Sequence, residues 1–415
     1  MAFIQLSSTN PKFSYILMKN PASGMLVKSN RKGLLFGWYG DVKTYNIYFR
    51  DSDTEVSYSL EDFEYMDTTR YNSPMFPINA FTAFMNHMKK VNVEDIVGYE
   101  NTLMLNQIRC KPHNLERFKS HFLDYEFTFE EVAFHNYRVV IKTKNTIREL
   151  INLGQMLAIF NSLLNNDLEY ISDEDLEKYM TCLQVIDSPY YIRHLFKCNF
   201  VRTPKAFNKY KISLETSKRD KLELEFGNNL MQRTNAIRRY LDFKSHIVDI
   251  GCGEGHYVKE FAPKLGCELG YHAIDINPEN IEKVKKLCKR KDIDGVTTCS
   301  SIDEFVCPDN SVILLTEVIE HMNKGDLEIF MNKIMKWPFR LLIITTPNRE
   351  FNRNYQLEED DVRDEGHKFE VGKGEFETLI KKLILVSDKQ IRFFEIGDKV
   401  NGLQPTLAAI IGDTK

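Results

Sequence analysis

The first half of the chain alternates short apolar runs with residues typical of turns. The predicted strands cover residues 34–39, 44–49, 55–58 and 138–142, and the predicted helices cover 80–89 and 145–165. Short runs rich in β-branched and aromatic residues, bounded by Gly, Asn-Pro and Asp-Ser-Asp, predict an antiparallel sheet. Leu and Ile repeat at helical spacing in the last of these segments. We therefore predict an α+β fold for this half.

The second half has a different pattern, in which predicted buried strands alternate with predicted amphipathic helices. The predicted strands cover residues 247–250, 271–276, 311–316 and 340–345, and the predicted helices cover 257–265, 278–291 and 327–335. Repeated β-α units predict a parallel, doubly wound sheet and therefore a Rossmann-like α/β domain. A polar, charged stretch at 201–225 separates the two patterns. We accordingly expect an α+β domain at 1–215 and the α/β domain at 216–415.

The composition is that of an ordinary folded protein, and it narrows the classes of function. The 415 residues are 43% hydrophobic and include 55 basic and 59 acidic side chains, so the formal charge is −4. With this balance, nucleic acid can bind only through a local basic patch. The eight cysteines form no Cys-x-x-Cys pair, which argues against a zinc knuckle. No run approaches the roughly 18 apolar residues of a membrane span, so we expect a cytoplasmic protein without membrane contact.

A glycine-rich turn follows the first strand of the second half. Gly251 and Gly253 lie there between a buried strand and a helix, and Asp249 stands two residues before the first glycine. Glycines allow an adenosine-containing ligand to approach the backbone, and Asp275, at the end of the next strand, is placed to bind ribose hydroxyls. The Gly-x-Gly-x-Gly spacing fits S-adenosylmethionine better than NAD, whereas a turn needed only for packing does not explain Asp275. Ser301 is a candidate contact to the adenine, although it is equally suited to cap a turn.

Two carboxylates and a histidine follow the fourth strand of this half. Glu317, Glu320 and His321 occupy positions i, i+3 and i+4, which share one face if a helical turn begins there. Ligands gather at the carboxyl ends of parallel strands, so we expect these side chains beside the cofactor. Such an oxygen-rich set, with His367 as a candidate further ligand, favours Mg²⁺ or Mn²⁺ over structural zinc. The alternative interpretation is a solvated helix face.

Together these motifs resemble a known family. The Glu-Val-Ile-Glu-His segment at 317–321, Thr-Pro-Asn-Arg-Glu-Phe-Asn at 346–352 and His-Lys-Phe-Glu at 367–370 are similar to those of the HEN family of small-RNA 3′-terminal ribose 2′-O-methyltransferases. The resemblance covers about residues 228–400 and implies an S-adenosylmethionine-dependent methyltransferase domain. It also implies that four catalytic residues hold the metal ion: Glu317, Glu320, His321 and His367.

A looser similarity continues upstream of the methyltransferase motifs. It covers residues 15–21, 65–84 and 169–178 and relates this half to the amino-terminal region of the bacterial form of the family. That form works in RNA repair with a polynucleotide kinase-phosphatase-ligase, and its amino-terminal region supports the ligase. The resemblance therefore implies a repair partner as well as an RNA 3′ end as substrate.

The chain departs from the family at two positions close to His367. It has Val371 where the family usually has Trp, and Glu365 or a neighbour replaces an additional upstream histidine. Arg233 and Arg349 are candidate contacts to the phosphates of the RNA end. Two other functions stay open at this point: methylation of a small molecule or a protein, and a non-catalytic scaffold for a repair ligase. The general base also stays open.

Overall fold

The computed structural model describes residues 2–30, 33–51, 75–86, 90–164, 173–355, 357, 361–384 and 389–412. The chain divides into two units, Met1–Arg219 and Asp220–Lys415. The boundary predicted from the sequence lies between residues 215 and 216. The strand predicted at 55–58 lies outside the described residues, as do parts of the upstream segments that carry the looser resemblance.

The N-terminal unit is built on an antiparallel sheet. Its strands are β1 (Ala2–Ser8), β2 (Leu26–Asn30), β3 (Gly33–Asp41), β4 (Thr44–Asp51), β5 (Asn101–Arg109), β6 (Glu126–Ala133) and β7 (Asn136–Thr143). They pair in the order β2-β3-β4-β1-β5-β7-β6, and each pairing is antiparallel. Buried and more exposed residues alternate along β7, so one face of the sheet packs on a core. The predicted α+β class is confirmed.

Helices cover the packed face of this sheet. The helices of this unit are α1 (Phe13–Ile16), α2 (Met75–Met85), α3 (Pro112–Ser120), α4 (Ile147–Leu164), α5 (Asp173–Val185), α6 (Tyr190–Phe200) and α7 (Pro204–Glu215). Of these, α2 and α4 pack on the sheet, whereas α5 and α6 pack on α4, and α7 packs on α5 and α6. The central helix α4 is buried along most of its length. Gly154 lets α4 approach β5 closely, because a Cβ at that position would overlap the side chain of Leu103. Asp95 accepts hydrogen bonds from the backbone N–H groups of Ile147 and Arg148, and thereby caps α4.

The C-terminal unit is built on a mixed sheet that is parallel over most of its width. The strands of this unit are β8 (Leu222–Glu223), β9 (Ile247–Ile250), β10 (Tyr271–Ile274), β11 (Val296–Cys299), β12 (Ser311–Thr316), β13 (Phe339–Pro347), β14 (Ile391–Ile396), β15 (Lys399–Val400) and β16 (Thr406–Gly412). The main sheet has the order β11-β10-β9-β12-β13-β16-β14, with β16 antiparallel to both of its neighbours. The chain reverses direction across the sheet between β9 and β12, which makes their carboxyl ends the topological switch point.

Helices lie on both faces of this sheet, as the doubly wound prediction requires. They are α8 (Asn229–Arg238), α9 (His256–Phe261), α10 (Pro278–Lys291), α11 (Lys324–Ile334) and α12 (Lys373–Leu383). One core includes Val258 and Phe261 of α9, and the other includes Leu327 of α11 and Phe376 of α12. Every residue of β12 is buried, because both faces of the strand are covered. Within the described ranges, no helix is long and apolar enough to cross a membrane.

Candidate active site

The glycine turn, residues 251–255, connects β9 to α9. Gly251, Gly253 and Gly255 all have positive φ angles, of 72°, 54° and 85°. A Cβ at Gly251 would also overlap the side chain of Val318, which follows β12. Positive φ is strained for other residue types, so both the conformation and the close approach require glycine at this first position. The turn therefore presents bare backbone at the switch point.

Asp275 ties the end of β10 to the glycine turn. Its Oδ2 accepts a hydrogen bond of 2.9 Å from the backbone N–H of Gly253, and its Oδ1 accepts one of 2.8 Å from Asn277. Only 8% of Asp275 is exposed. Because backbone donors fix the carboxylate, its position is set before any ligand arrives. This position is the one expected of a ribose partner.

A cavity of about 780 Å³ opens beside the glycine turn, large enough for a nucleoside-sized ligand. Its lining includes the predicted cofactor residues Gly251, Gly253, Asp275 and Ser301, together with Glu317 and His321. The Ser301 hydroxyl accepts a hydrogen bond from the backbone N–H of Asp303. Ser301 therefore also caps a turn, which is the alternative role predicted from the sequence. Cofactor-type and metal-type residues thus border one space.

Asp249 takes a different place from the other predicted cofactor residues. It is fully buried, and its Oδ2 accepts a 2.8 Å hydrogen bond from the hydroxyl of Tyr271, whereas Oδ1 has no partner among the described residues. Its carboxylate does not belong to the lining of the cavity. Burial, only partly offset by the Tyr271 hydrogen bond, raises the pKa of Asp249 to about 7.

The segment after β12 does not form the expected helical turn from Glu317 onward. Glu317 has a φ of 54°, in the left-handed region, and a separate 3₁₀ turn, Ile319–His321, follows it. The carboxylate of Glu317 accepts a hydrogen bond from Thr345 Oγ1 at 2.9 Å and forms an ion pair of 2.8 Å with Arg233 Nη1. The left-handed residue interrupts the helical periodicity, yet Glu317 still lines the same cavity as His321.

Glu320, His321 and His367 come together, and we call these three residues the Glu-His cluster. One potential ligand atom from each lies within 4.8 Å of the others. Glu320 is fully buried; its Oε2 accepts a 3.0 Å hydrogen bond from Thr346, and its Oε1 has no partner among the described residues. Burial, and next the charge of Glu317, raise the pKa of Glu320 to about 8.

Each imidazole of the Glu-His cluster is oriented through Nδ1. His321 Nδ1 lies 3.1 Å from the carbonyl oxygen of Gly366, and His367 Nδ1 lies 2.6 Å from Oε1 of Glu370. Because a carbonyl and a carboxylate only accept, each Nδ1 is the donor in these hydrogen bonds, which leaves the Nε2 atom of a neutral imidazole with its lone pair. Metal-ligating histidines are usually held in this way.

Glu370 and Arg363 complete this arrangement, and neither was assigned a role from the sequence. Glu370 also accepts hydrogen bonds from Asn352 Nδ2 at 2.7 Å and from the backbone N–H of Arg363 at 2.8 Å. The Arg363 guanidinium donates to Oδ1 of Asn352 and to the carbonyl oxygens of Asn348 and Pro405. Glu370 belongs to the His-Lys-Phe-Glu motif, which could have pointed to it, whereas no local pattern marks Arg363.

The two predicted RNA contacts lie in unlike surroundings. The side chain of Arg233 is 14% exposed and bonds to Glu317, and its Nε donates to the Tyr257 hydroxyl at 2.9 Å. The side chain of Arg349 is 42% exposed and forms an ion pair of 3.0 Å with Glu375. The structure therefore brings Arg233 into the site through Glu317, while Arg349 belongs to the protein surface.

The residues present fit a divalent cation and an adenosine cofactor. A buried carboxylate oxygen without a partner is costly unless a ligand completes it, and two imidazole lone pairs lie close to Glu320. One carboxylate with two imidazoles is a donor set that suits Mn²⁺ and related ions. On the other side, the glycine turn and Asp275 provide open backbone and a fixed carboxylate.

Comparison with known proteins places this site in context. Residues 3–219 match the model of the Hen1 N-terminal domain, and residues 247–337 match a methyltransferase domain. A small RNA 2′-O-methyltransferase of Arabidopsis thaliana is 27% identical over 179 residues, which cover 37% of this chain and 19% of that protein. The Caenorhabditis elegans protein of the same name is 25% identical over 180 residues, which cover 37% and 41%. The similarity thus spans less than half of either relative.

A solved structure covers the whole length of the chain. It is a chain in the structure of the Pnkp1/Rnl/Hen1 RNA repair complex, with 24% identity, a TM-score of 0.84, and coverage of 99% of this chain and 100% of that one. At this identity the likeness establishes a shared fold. The Hen1 N-terminal domain model, in contrast, matches more than half of the sequence. The chain therefore belongs to the Hen1 family.

Proposed function

We propose that this chain transfers the methyl group of S-adenosylmethionine to the 2′-hydroxyl of the 3′-terminal ribose of RNA, with Mg²⁺ or Mn²⁺ held by the Glu-His cluster. One observation carries the proposal: His321 belongs to this cluster and also lines the cavity beside the glycine turn. A reacting hydroxyl held at the cluster is therefore next to the cofactor space. Similarity to small RNA 2′-O-methyltransferases supports RNA as the substrate.

Different residues of the chain bind the cofactor and the cation in this reaction. Asp275 and the backbone of the glycine turn bind the ribose and the polar groups of the cofactor, whose sulfonium supplies the methyl group. Glu320, His321 and His367 hold the cation, which lowers the pKa of a bound hydroxyl and fixes its position. Glu370 keeps the His367 imidazole in the required tautomer. We also propose Glu317 as a fourth ligand, Ser301 as a cofactor contact, and Arg233 and Arg349 as RNA contacts. Asp249, which lies outside the lining of the cavity, is not retained as a cofactor contact.

The direct test is methyl transfer from labelled S-adenosylmethionine to short RNAs that differ only at the 3′ end. An end with both 2′- and 3′-hydroxyls should react in the presence of Mn²⁺, because it offers adjacent oxygens to the site. A 3′-deoxy or 3′-phosphate end should react poorly, and a 2′-deoxy end not at all, because it lacks the nucleophile. The product should resist periodate, which cleaves only a free vicinal diol.

Other outcomes of this assay support different functions. Efficient methylation of the 3′-phosphate end would contradict recognition of the diol. Methylation of a small molecule or a protein without RNA would reassign the substrate, and the absence of any transfer by folded, cofactor-bound protein would favour a scaffold. The exposed His113 provides a control, since His113→Ala removes an imidazole from the other unit and should leave transfer unchanged.

We further propose that the chain works in RNA repair with a kinase-phosphatase-ligase partner. Support comes from the match to the Hen1 N-terminal domain and from the fold shared with a chain of the Pnkp1/Rnl/Hen1 complex. Size-exclusion chromatography of the full chain with such an enzyme should show a joint peak. Addition of the full chain should also raise the yield of sealed RNA, and separate peaks with unchanged sealing would contradict this role.

A further inference from the structure

The loop that carries His367 also reaches the second histidine of the Glu-His cluster. The carbonyl oxygen of Gly366 accepts the hydrogen bond from His321 Nδ1 at 3.1 Å. Two residues later, the backbone N–H of Lys368 donates to the carbonyl of Glu320 at 2.7 Å. The loop is therefore bonded directly to the 3₁₀ turn that presents Glu320 and His321.

Space at Gly366 is limited on the side of this contact. A Cβ there would lie 3.2 Å from Nδ1 and 3.4 Å from Cε1 of His321, and 3.1 Å from Oδ1 of Asp364. Distances of this size are tighter than ordinary van der Waals contact, so a side chain would require the imidazole or the Asp364 carboxylate to shift by a few tenths of an ångström. Gly366 does not have a positive φ, so the requirement for glycine comes from this contact and not from the backbone.

Asp364 holds Gly366 in place. Its Oδ1 accepts a 2.8 Å hydrogen bond from the Gly366 N–H, and its carbonyl accepts one of 3.0 Å from the N–H of His367. The aspartate thus fixes the peptide whose carbonyl meets His321. The other imidazole uses a carboxylate, Glu370, for the same purpose.

We infer that Gly366 is a positioning residue for the cation site: its carbonyl selects the Nδ1-protonated tautomer of His321, and its missing side chain lets that imidazole join Glu320 and His367. This inference rests on the proposed function, because it assigns a role within the same site.

The test compares Gly366→Ala with Gly266→Ala in the full-length protein. Gly266 is a matched control, because it is also an exposed loop glycine without positive φ, and a Cβ there meets nothing within 4 Å. The first readout is the tautomer of His321 in the metal-free protein, from ¹⁵N-histidine NMR with His321→Gln for assignment. The second is Mn²⁺ affinity by titration calorimetry, and the third is methyl transfer to RNA.

Gly366→Ala should reduce the Nδ1-protonated fraction of His321 and weaken Mn²⁺ binding about tenfold, the scale expected when the partner of a ligating histidine is displaced. Gly266→Ala should change neither. Wild-type tautomer and wild-type Mn²⁺ affinity in Gly366→Ala would overturn the inference. Since the tautomer is read without metal or RNA, failure of the wild type to methylate RNA would refute the proposed function and leave this test intact.

A second pair of variants covers the case in which Gly366→Ala folds poorly by thermal melting. Asp364→Ala removes the acceptor for the Gly366 N–H, and should weaken Mn²⁺ binding several-fold, within the range for outer partners of a ligand. Asp364→Asn keeps an acceptor oxygen and should restore most of the affinity. Equal Mn²⁺ affinity in wild type and Asp364→Ala, with the His321 tautomer unchanged, would overturn the inference.

Discussion

Asp275 on the cofactor side and Glu320 on the cation side are two buried carboxylates with opposite hydrogen bonding. Both oxygens of Asp275 accept hydrogen bonds from backbone N–H groups, at 2.9 and 2.8 Å. Glu320 has one oxygen bonded to Thr346 and one, Oε1, that is buried without a partner among the described residues. Both oxygens of Asp275 therefore have hydrogen-bond partners within the part of the protein that the structure describes, whereas one oxygen of Glu320 does not.

This difference indicates which kind of ligand each carboxylate can bind. A carboxylate fixed by backbone donors offers its remaining lone pairs to a neutral partner such as a ribose hydroxyl. A buried carboxylate oxygen without a donor destabilises the fold unless the group takes up a proton, as the raised pKa of Asp249 indicates for that residue, or a cation completes it. The raised pKa of Glu320, about 8, reflects the same cost, which burial and then Glu317 impose. The two sides should therefore respond separately to substitution.

The largest difference between the loss of methyl transfer and the change in cofactor affinity is expected for the three residues of the Glu-His cluster. Substitution of Glu320, His321 or His367 by Ala should lower methyl transfer by more than about 100-fold, because loss of a direct ligand exceeds the 10–100-fold loss typical of an outer partner. Affinity for S-adenosylmethionine should stay within a factor of about two, since the cofactor contacts differ. Turnover assays and calorimetry measure the two effects. Near-normal turnover in His367→Ala would remove His367 from the ligand set.

A smaller loss should follow from Glu370→Gln. The substitution keeps the shape and a hydrogen-bond acceptor but removes the negative charge that holds His367 at 2.6 Å. We expect Mn²⁺ affinity to fall about tenfold and cofactor affinity to stay unchanged. Glu377, which is partly exposed on α12, offers the control Glu377→Gln. If both variants bind Mn²⁺ like the wild type, the charge of Glu370 does not affect Mn²⁺ binding through His367.

The cofactor side could be predicted from the sequence more fully than the cation side. The glycine turn and Asp275 lie at fixed distances along one β-α-β unit, so spacing alone places them together. The Glu-His cluster instead needs the loop around Gly366 to return over the end of β12, which depends on anchors such as Arg363 that no local pattern shows. The left-handed backbone at Glu317 is likewise invisible to helical spacing, because non-glycine residues rarely adopt it.

Substitution of Asp275 should affect cofactor binding and leave the cation side unchanged, the reverse of the substitutions in the Glu-His cluster. Asp275→Ala should weaken S-adenosylmethionine binding about tenfold, because a charge-assisted hydrogen bond is lost, and should leave Mn²⁺ affinity unchanged. Calorimetry of each ligand separately provides the measurement, with the exposed Asp294→Ala as control. Loss of Mn²⁺ affinity in Asp275→Ala would show that the cofactor side and the cation side are coupled.

The smallest effect on function is expected at the other aspartate of the cofactor side. Asp249 is buried below the glycine turn, so Asp249→Asn should change S-adenosylmethionine affinity by less than a factor of about two. An effect as large as that of Asp275→Ala would instead mean that Asp249 acts on the cofactor despite its burial.

Asp249→Asn should nevertheless change how stability depends on pH. Burial raises the pKa of Asp249 from 3.8 to about 7 in the folded state, so the folded state holds the proton more tightly than the unfolded state. The stabilisation is complete below pH 3.8 and is lost as the pH rises through about 7. The free energy of unfolding of the wild type should therefore decline between pH 4 and 8, relative to Asp249→Asn, by on the order of 1 kcal/mol or more. Urea unfolding of both proteins across this range measures the difference, and parallel profiles would show that Asp249 is ionised in the folded protein throughout.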